Sequence, residues 1–171
     1  SMHQVVREAV KEQRKAECSK HLGLFRACKN SLNQSTEKYE LTIAAQIIPF
    51  ATSLFEGINE ENAPIAFLSD AIGKYYERTA AYSLAMQWRQ KAAALAEKVY
   101  GINHENTAAA YGNIAKIHYE QGDYPNALEW YFKSLRIKEK ILGIEHPFIA
   151  TTYNNIAGVY NSQGDYPKAL E

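Results

Sequence analysis

The chain has 171 residues, 46% of them hydrophobic and 22% charged, the balance of a globular domain with a real core and not of a disordered chain. Nineteen Lys and Arg offset nineteen Asp and Glu, so no net field draws phosphate backbones or anionic lipid, and nucleic-acid binding lacks its usual electrostatic footprint. No apolar run approaches the roughly 18 residues of a membrane span, and no charged n-region followed by an apolar h-region marks a signal peptide.

Ser1-Met2 reads as a vector remnant. His3 to Asn33 reads as a long amphipathic helix with Val5, Val6, Ala9, Val10, Leu22, Phe25 and Cys28 among its apolar positions, followed by a break at "NQST". Leu41 to Phe55 reads as a second helix, kinked or restarted at Pro49 because proline lacks an amide hydrogen and clashes with the preceding turn. The rival reading, a strand over "YELTIAAQIIPF", has no second strand to pair with. Residues 3–57 are therefore predicted to form a degenerate N-terminal helical pair or cap, as the terminal unit of a stacked array often does. Cys18 and Cys28, the only cysteines, would point in different directions from one helix. Free thiols are expected, with no disulfide framework and no metal site, and they point to a reducing, cytoplasmic compartment.

From Gly57 onward the chain repeats itself. "HENTAAAYGNIAKIHYEQGDYPNALE" and "HPFIATTYNNIAGVYNSQGDYPKALE" lie 42 residues apart and agree at 14 of 26 positions. A fixed period of that size marks a helical unit that stacks on its own copies. Within the first copy, helix A is predicted from about Thr107 to Gln121, burying Ala108, Tyr111, Ile114, Ala115 and His118. Gly122 ends it, Asp123 caps the next helix, and Pro125 lies in that helix's first turn, where no amide is missed. Helix B is predicted to run to about Leu142, burying Ala127, Leu128, Tyr131, Leu135 and a further apolar position near Ile141. Gly143 ends it, and Pro147 opens the next helix A. One unit earlier the same offset sets Ile72, Gly73, Tyr76, Tyr82, Ala85 and Trp88 opposite Ile114, Ala115, His118, Tyr124, Ala127 and Trp130. Its loop "GINEENAP" carries two extra residues, where loops tolerate them. Residues 58–171 are thus read as a repeat array whose last repeat is truncated.

The segment "IAKIHYEQGDYPNALEWYFKSL", with small Ala115, an aromatic-rich helix A, the Gly-Asp-Tyr turn and Ala127, resembles the tetratricopeptide repeat (TPR). The 42-residue period and "LGIEHPFIATTYNNIAGVY" look most like the lengthened version of kinesin light chains and many bacterial repeat proteins. The resemblance runs from Ala63 to Glu171 and is weak before it. It implies an all-α fold: antiparallel helix pairs stacked into a right-handed superhelical solenoid, with the A helices lining a concave groove. Two departures stand out, "TAAY" in place of "QGDY" at the first turn and Arg89 where Tyr131 packs in the next unit. They predict a less regular first repeat.

Carried over position by position, the groove-facing residues are Asp70, Lys74, Glu77 and Arg78, with Phe67, in the first unit. In the second they are Asn113, Lys116, Tyr119 and Glu120, with Ala109 and Gly112. In the third they are Asn154, Asn155 and Asn161, with Thr151, Gly158 and Ser162. Asparagine offers two donors and an acceptor in one short side chain, so Asn113, Asn154 and Asn155 could bond the backbone of an extended peptide or, alternatively, tie repeats together. Gly112 and Lys116 stand where chaperone-binding relatives carry a carboxylate clamp, so an internal linear motif or a partner's helix is expected rather than a free chain end.

Reaction chemistry is not expected. His104 and His146 repeat at one loop site and His118 replaces the packing residues Tyr76 and Tyr160, which assigns them turn and core roles. Trp88 and Trp130 recur on helix B as packing residues, and no phosphate-cradling glycine loop or nucleophile elbow is present. The leading reading is a non-enzymatic scaffold or adaptor that binds a protein or peptide partner in the groove, without cofactor, metal, nucleic acid or membrane. Self-association through exposed repeat ends is the accompanying possibility. The alternative is a sensor or substrate-recruiting arm of a larger enzyme or signalling ATPase whose catalytic domain lies outside this sequence.

Overall fold

The computed structural model describes residues 63–170 together with Ile48, Pro49 and Thr52. Most of the predicted N-terminal pair, including Cys18 and Cys28, lies outside the described residues. Ile48, Pro49 and Thr52 are helical, which favours the helix over the strand at that point. The remainder is six helices in order: α1 Ala63–Arg78, α2 Tyr82–Tyr100, α3 Glu105–Glu120, α4 Tyr124–Leu142, α5 Pro147–Gln163 and α6 Tyr166–Leu170. They form three successive pairs, each helix packing on the next, and no strand occurs among the described residues.

The boundaries follow from local chemistry. α3 begins at Glu105 rather than Thr107 because the His104 ring accepts the Asn106 backbone N–H at 3.1 Å and caps the helix, and His146 does the same for Phe148 at 3.3 Å. At the other end of α3, Gly122 takes φ +74°, and the Asp123 amide returns to the His118 carbonyl at 2.8 Å. That geometry closes a helix end and favours glycine, which has no Cβ to clash. Asp123 then accepts from Asn126 N and starts α4, with proline in the first turn.

Burial follows the 3.6-residue stripe. Ile114, Ala115, Ile149, Ile156, Val159, Ala127, Tyr131 and Leu135 are buried, and most of them form one cluster between the second and third pairs. Each large side chain so removed from water stabilises by about 1.5 to 3 kcal/mol. Leu128 is half-buried against this cluster. The further apolar position near Ile141 is Ile137, which is buried, whereas Ile141 itself, one turn later on the same face, is 37% exposed. The last turn of α4 reaches past its packing partners. The first pair has its own cluster of Ile65, Leu68, Ala71, Ile72 and Trp88, joined by Ile48.

Adjacent pairs are also stapled by a hydrogen bond that repeats with the sequence. The Tyr111 hydroxyl donates to Glu97 at 2.8 Å and the Tyr153 hydroxyl donates to Glu139 at 2.9 Å, each tying a helix A to the preceding helix B. Burial and the Glu97 carboxylate push the Tyr111 phenol up to about 12.

Candidate functional site

α3 and α5 form the walls of a groove of about 400 Å³, and α4 forms its floor. Asn113, Lys116, Tyr119 and Glu120 line one wall, and Asn154 and Asn155 line the other. Six of the predicted site residues are thus brought together. Asn154 and Asn155 are exposed and make no side-chain hydrogen bond among the described residues. The walls are joined at one end, where the Tyr119 hydroxyl lies 3.1 Å from Ser162 Oγ.

Asp70 and Glu77 do not line this groove; they support its wall through Arg89. That arginine is 3% exposed and pairs with Asp70, whose backbone carbonyl it also meets at 3.2 Å, and with Glu77 at 2.8 Å. Glu77 also receives Lys116 at 2.6 Å, and Asn113 donates to Asp70 at 2.9 Å. The chain Asn113, Asp70, Arg89, Glu77, Lys116 therefore spans two repeats. Burial pushes the Glu77 carboxyl up, but hydrogen bonds and charge from Lys116 and Arg89 together outweigh it and hold it below the ordinary glutamate value.

Arg89 occupies the place of Tyr131, and the predicted irregularity of the first repeat resolves into this ion-pair hub. Its stem needs the missing side chain of Gly73, where an added Cβ would meet Arg89 Cδ at 3.0 Å. The signal was present in the sequence as a pair, glycine at the small position and arginine at the tyrosine position 16 residues on. Lys74, Arg78 and Asn161 are not among the residues lining the groove. Asp70 and Phe67 line a second, smaller cavity of about 100 Å³ with Ala92 and Ala96.

The floor comes from helix B, beyond the helix A positions predicted to face the groove. Tyr131, Ser134 and Lys138 on α4 line the groove, as does Thr152 on α5. Their i, i+3, i+7 spacing puts the three α4 residues on one face, a pattern legible in the sequence. Ser134 is buried and donates to the Ala108 carbonyl at 2.6 Å. The Lys138 ammonium donates to Thr152 Oγ1 at 2.8 Å, and that hydroxyl donates onward to the Phe148 carbonyl at 3.0 Å. Burial pushes the Lys138 amine down from the ordinary lysine value, and Glu105 offsets this in part. Burial also raises the Tyr131 phenol to about 12, with Tyr119, Glu120 and Glu77 adding to it.

Among the described residues, no group of three or more His, Cys, Asp or Glu is placed to hold a metal ion, and no helix is long and apolar enough to cross a membrane.

Antiparallel helix pairs that recur every 42 residues and share a polar groove define a helical-repeat array, the class of interaction scaffolds. The tetratricopeptide repeat family model matches residues 65–140 and again 113–171, and the chain belongs to that family. No curated protein matches in sequence. Among solved structures, BtubC (BKLC) from P. vanneervenii is similar over 92% of this chain and 71% of its own, with a TM-score of 0.70 and 17% identity. A Podosopora anserina chain described as a kinesin light chain with nearly identical TPR-like repeats is similar over 88% of this chain and 72% of its own, with a TM-score of 0.75 and 16% identity. The apo form of RapI is similar over 94% and 63%, with a TM-score of 0.63 and 17% identity. These likenesses establish the fold, a kinesin-light-chain-like TPR solenoid.

Proposed function

We propose that the array is a non-enzymatic adaptor that holds an extended segment of a protein partner in the groove between α3 and α5. The observation that carries this reading is the pair Asn154 and Asn155, exposed on the groove wall with their amides uncommitted. Such groups can match the alternating donors and acceptors of an extended backbone. Tyr119 and Glu120 extend the contact along the opposite wall. Asn113 and Lys116 are already engaged by Asp70 and Glu77, so they serve the groove as fixed walls more than as free ligands. Lys74, Arg78 and Asn161, off the groove lining, are assigned a peripheral role in a longer contact. Self-association, as a second reading, would use the exposed Tyr166 and Leu170 on α6, and a concentration series in sedimentation velocity tests it.

The test is a pull-down from lysate of the source organism with the wild type and with Asn154→Ala/Asn155→Ala. A partner captured by the wild type and lost by a variant with an unchanged melting curve supports the groove. Equal capture by both overturns it. Reading the gene on either side of this sequence tests the alternative of a recruiting arm, for which a nucleotide-binding or hydrolase motif is expected.

A further inference from the structure

Lys138 is a cation that the fold does not require. At the equivalent position one repeat earlier stands Ala96, only 4% exposed, and Ser134 is likewise matched by Ala92. Both alanines line the smaller cavity, so the same backbone packs well with no charge on its floor. In the second unit the position carries an ammonium that is half-buried and held in place by the relay through Thr152 to the Phe148 carbonyl.

Among the described residues, Glu120 is the one carboxylate lining the groove with Lys138, and it stands exposed on the α3 wall. Asp70, Glu77, Arg89 and Lys116 form two negative and two positive groups in mutual contact and cancel. No carboxylate among the described residues lies within ion-pairing distance of Lys138; Glu105, exposed at the start of α3, acts on it only through the field. One of its three ammonium hydrogens meets a neutral hydroxyl, which leaves two for other acceptors. A partly desolvated, unpaired cation is unfavourable unless a counter-charge arrives.

We propose that Lys138 is an anion subsite on the groove floor that receives the side-chain carboxylate of an Asp or Glu inside the bound segment, an inference that rests on the groove reading above. A carboxylate matches the single ammonium one charge to one, whereas a phosphorylated side chain, with about −1.5 to −2, brings more negative charge than Lys138 offsets into a groove that Glu120 already lines. Only the ammonium and its relay are needed for recognition; no bond is made or broken.

The test is selection from a displayed library of random peptides with constant flanks, against the wild type, Lys138→Met, Lys138→Glu and Asn154→Ala/Asn155→Ala. Lys138→Met keeps the length and packing of the stem, and thermal melting confirms that each variant is folded. The wild type is expected to enrich Asp or Glu at one aligned position. A selected peptide should bind Lys138→Met at least about tenfold more weakly, as expected when one partner of a shielded ion pair is removed. Lys138→Glu should enrich Lys or Arg at that same position. Peptides that need Asn154 and Asn155 but bind Lys138→Met as well as the wild type overturn the subsite and leave the groove standing. Failure to select any peptide dependent on Asn154 and Asn155 overturns both.

Discussion

Glu77 concentrates the electrostatics of the first repeat. Its folded pKa lies below the unfolded one, so as pH falls the unfolded chain takes up the proton first. The stabilisation is therefore present above the ordinary glutamate range, about pH 4.3, and is lost as pH drops through the lower folded value. Asp123 and Asp165 are also depressed, chiefly by hydrogen bonds from Asn126 and Lys168, and act with the same sign. Urea titrations between about pH 3 and pH 6 should show a stability loss on acidification that Glu77→Gln makes shallower. An unchanged slope in that variant would remove Glu77 from the account. Arg89, the buried partner, was legible only as a departure from the repeat. Which carboxylates it meets depends on residues 12 and 19 positions away that the helix packing brings to it.

At the scale of the element, the turn between α1 and α2 differs from the two that follow. Ala80 holds φ +56° where Gly122 and Gly164 hold +74° and +77°. For a residue with a Cβ that region costs roughly 1 to 2 kcal/mol. Glycine relieves this at about 0.5 to 1 kcal/mol of added unfolded-state entropy. Ala80→Gly is thus expected to stabilise the protein by up to about 1 kcal/mol, read as a higher denaturation midpoint at constant slope. A lower midpoint would mean that the turn relaxes without strain. The helices themselves were legible because the apolar stripe, the glycine stops and the Asp123 cap all act within a few residues. The start of α3 at Glu105, two residues before Thr107, and the burial of Ile137 in place of Ile141 have one source. A histidine ring cap and the reach of a last turn depend on geometry that periodicity does not encode.

Across the whole molecule, stability should behave as a sum of unit and interface contributions, because each pair touches only its neighbours. Arg89→Met leaves Asp70 able to regain water and Glu77 still paired with Lys116, so its cost should be about 2 kcal/mol, below the roughly 3 to 5 of a fully buried broken pair. Native-state amide exchange should then speed most in α1 and α2, less in α3 through the lost Asp70 and Glu77 support, and least in α5. Uniform acceleration through α5 would show one cooperative block instead of a chain of units.

The sequence by itself determined the all-α repeat architecture, its period and its helix stops, because all of these are written in short-range spacing and recur from copy to copy. Only the tertiary structure decided which groove residues remain uncommitted. Asn113 and Lys116 are drawn into the Arg89 network while Asn154 and Asn155 stay open, and Lys138 rises from helix B into the floor. Those outcomes rest on contacts between repeats, where a side chain's partners are set by how the helices stack and not by its neighbours in the chain.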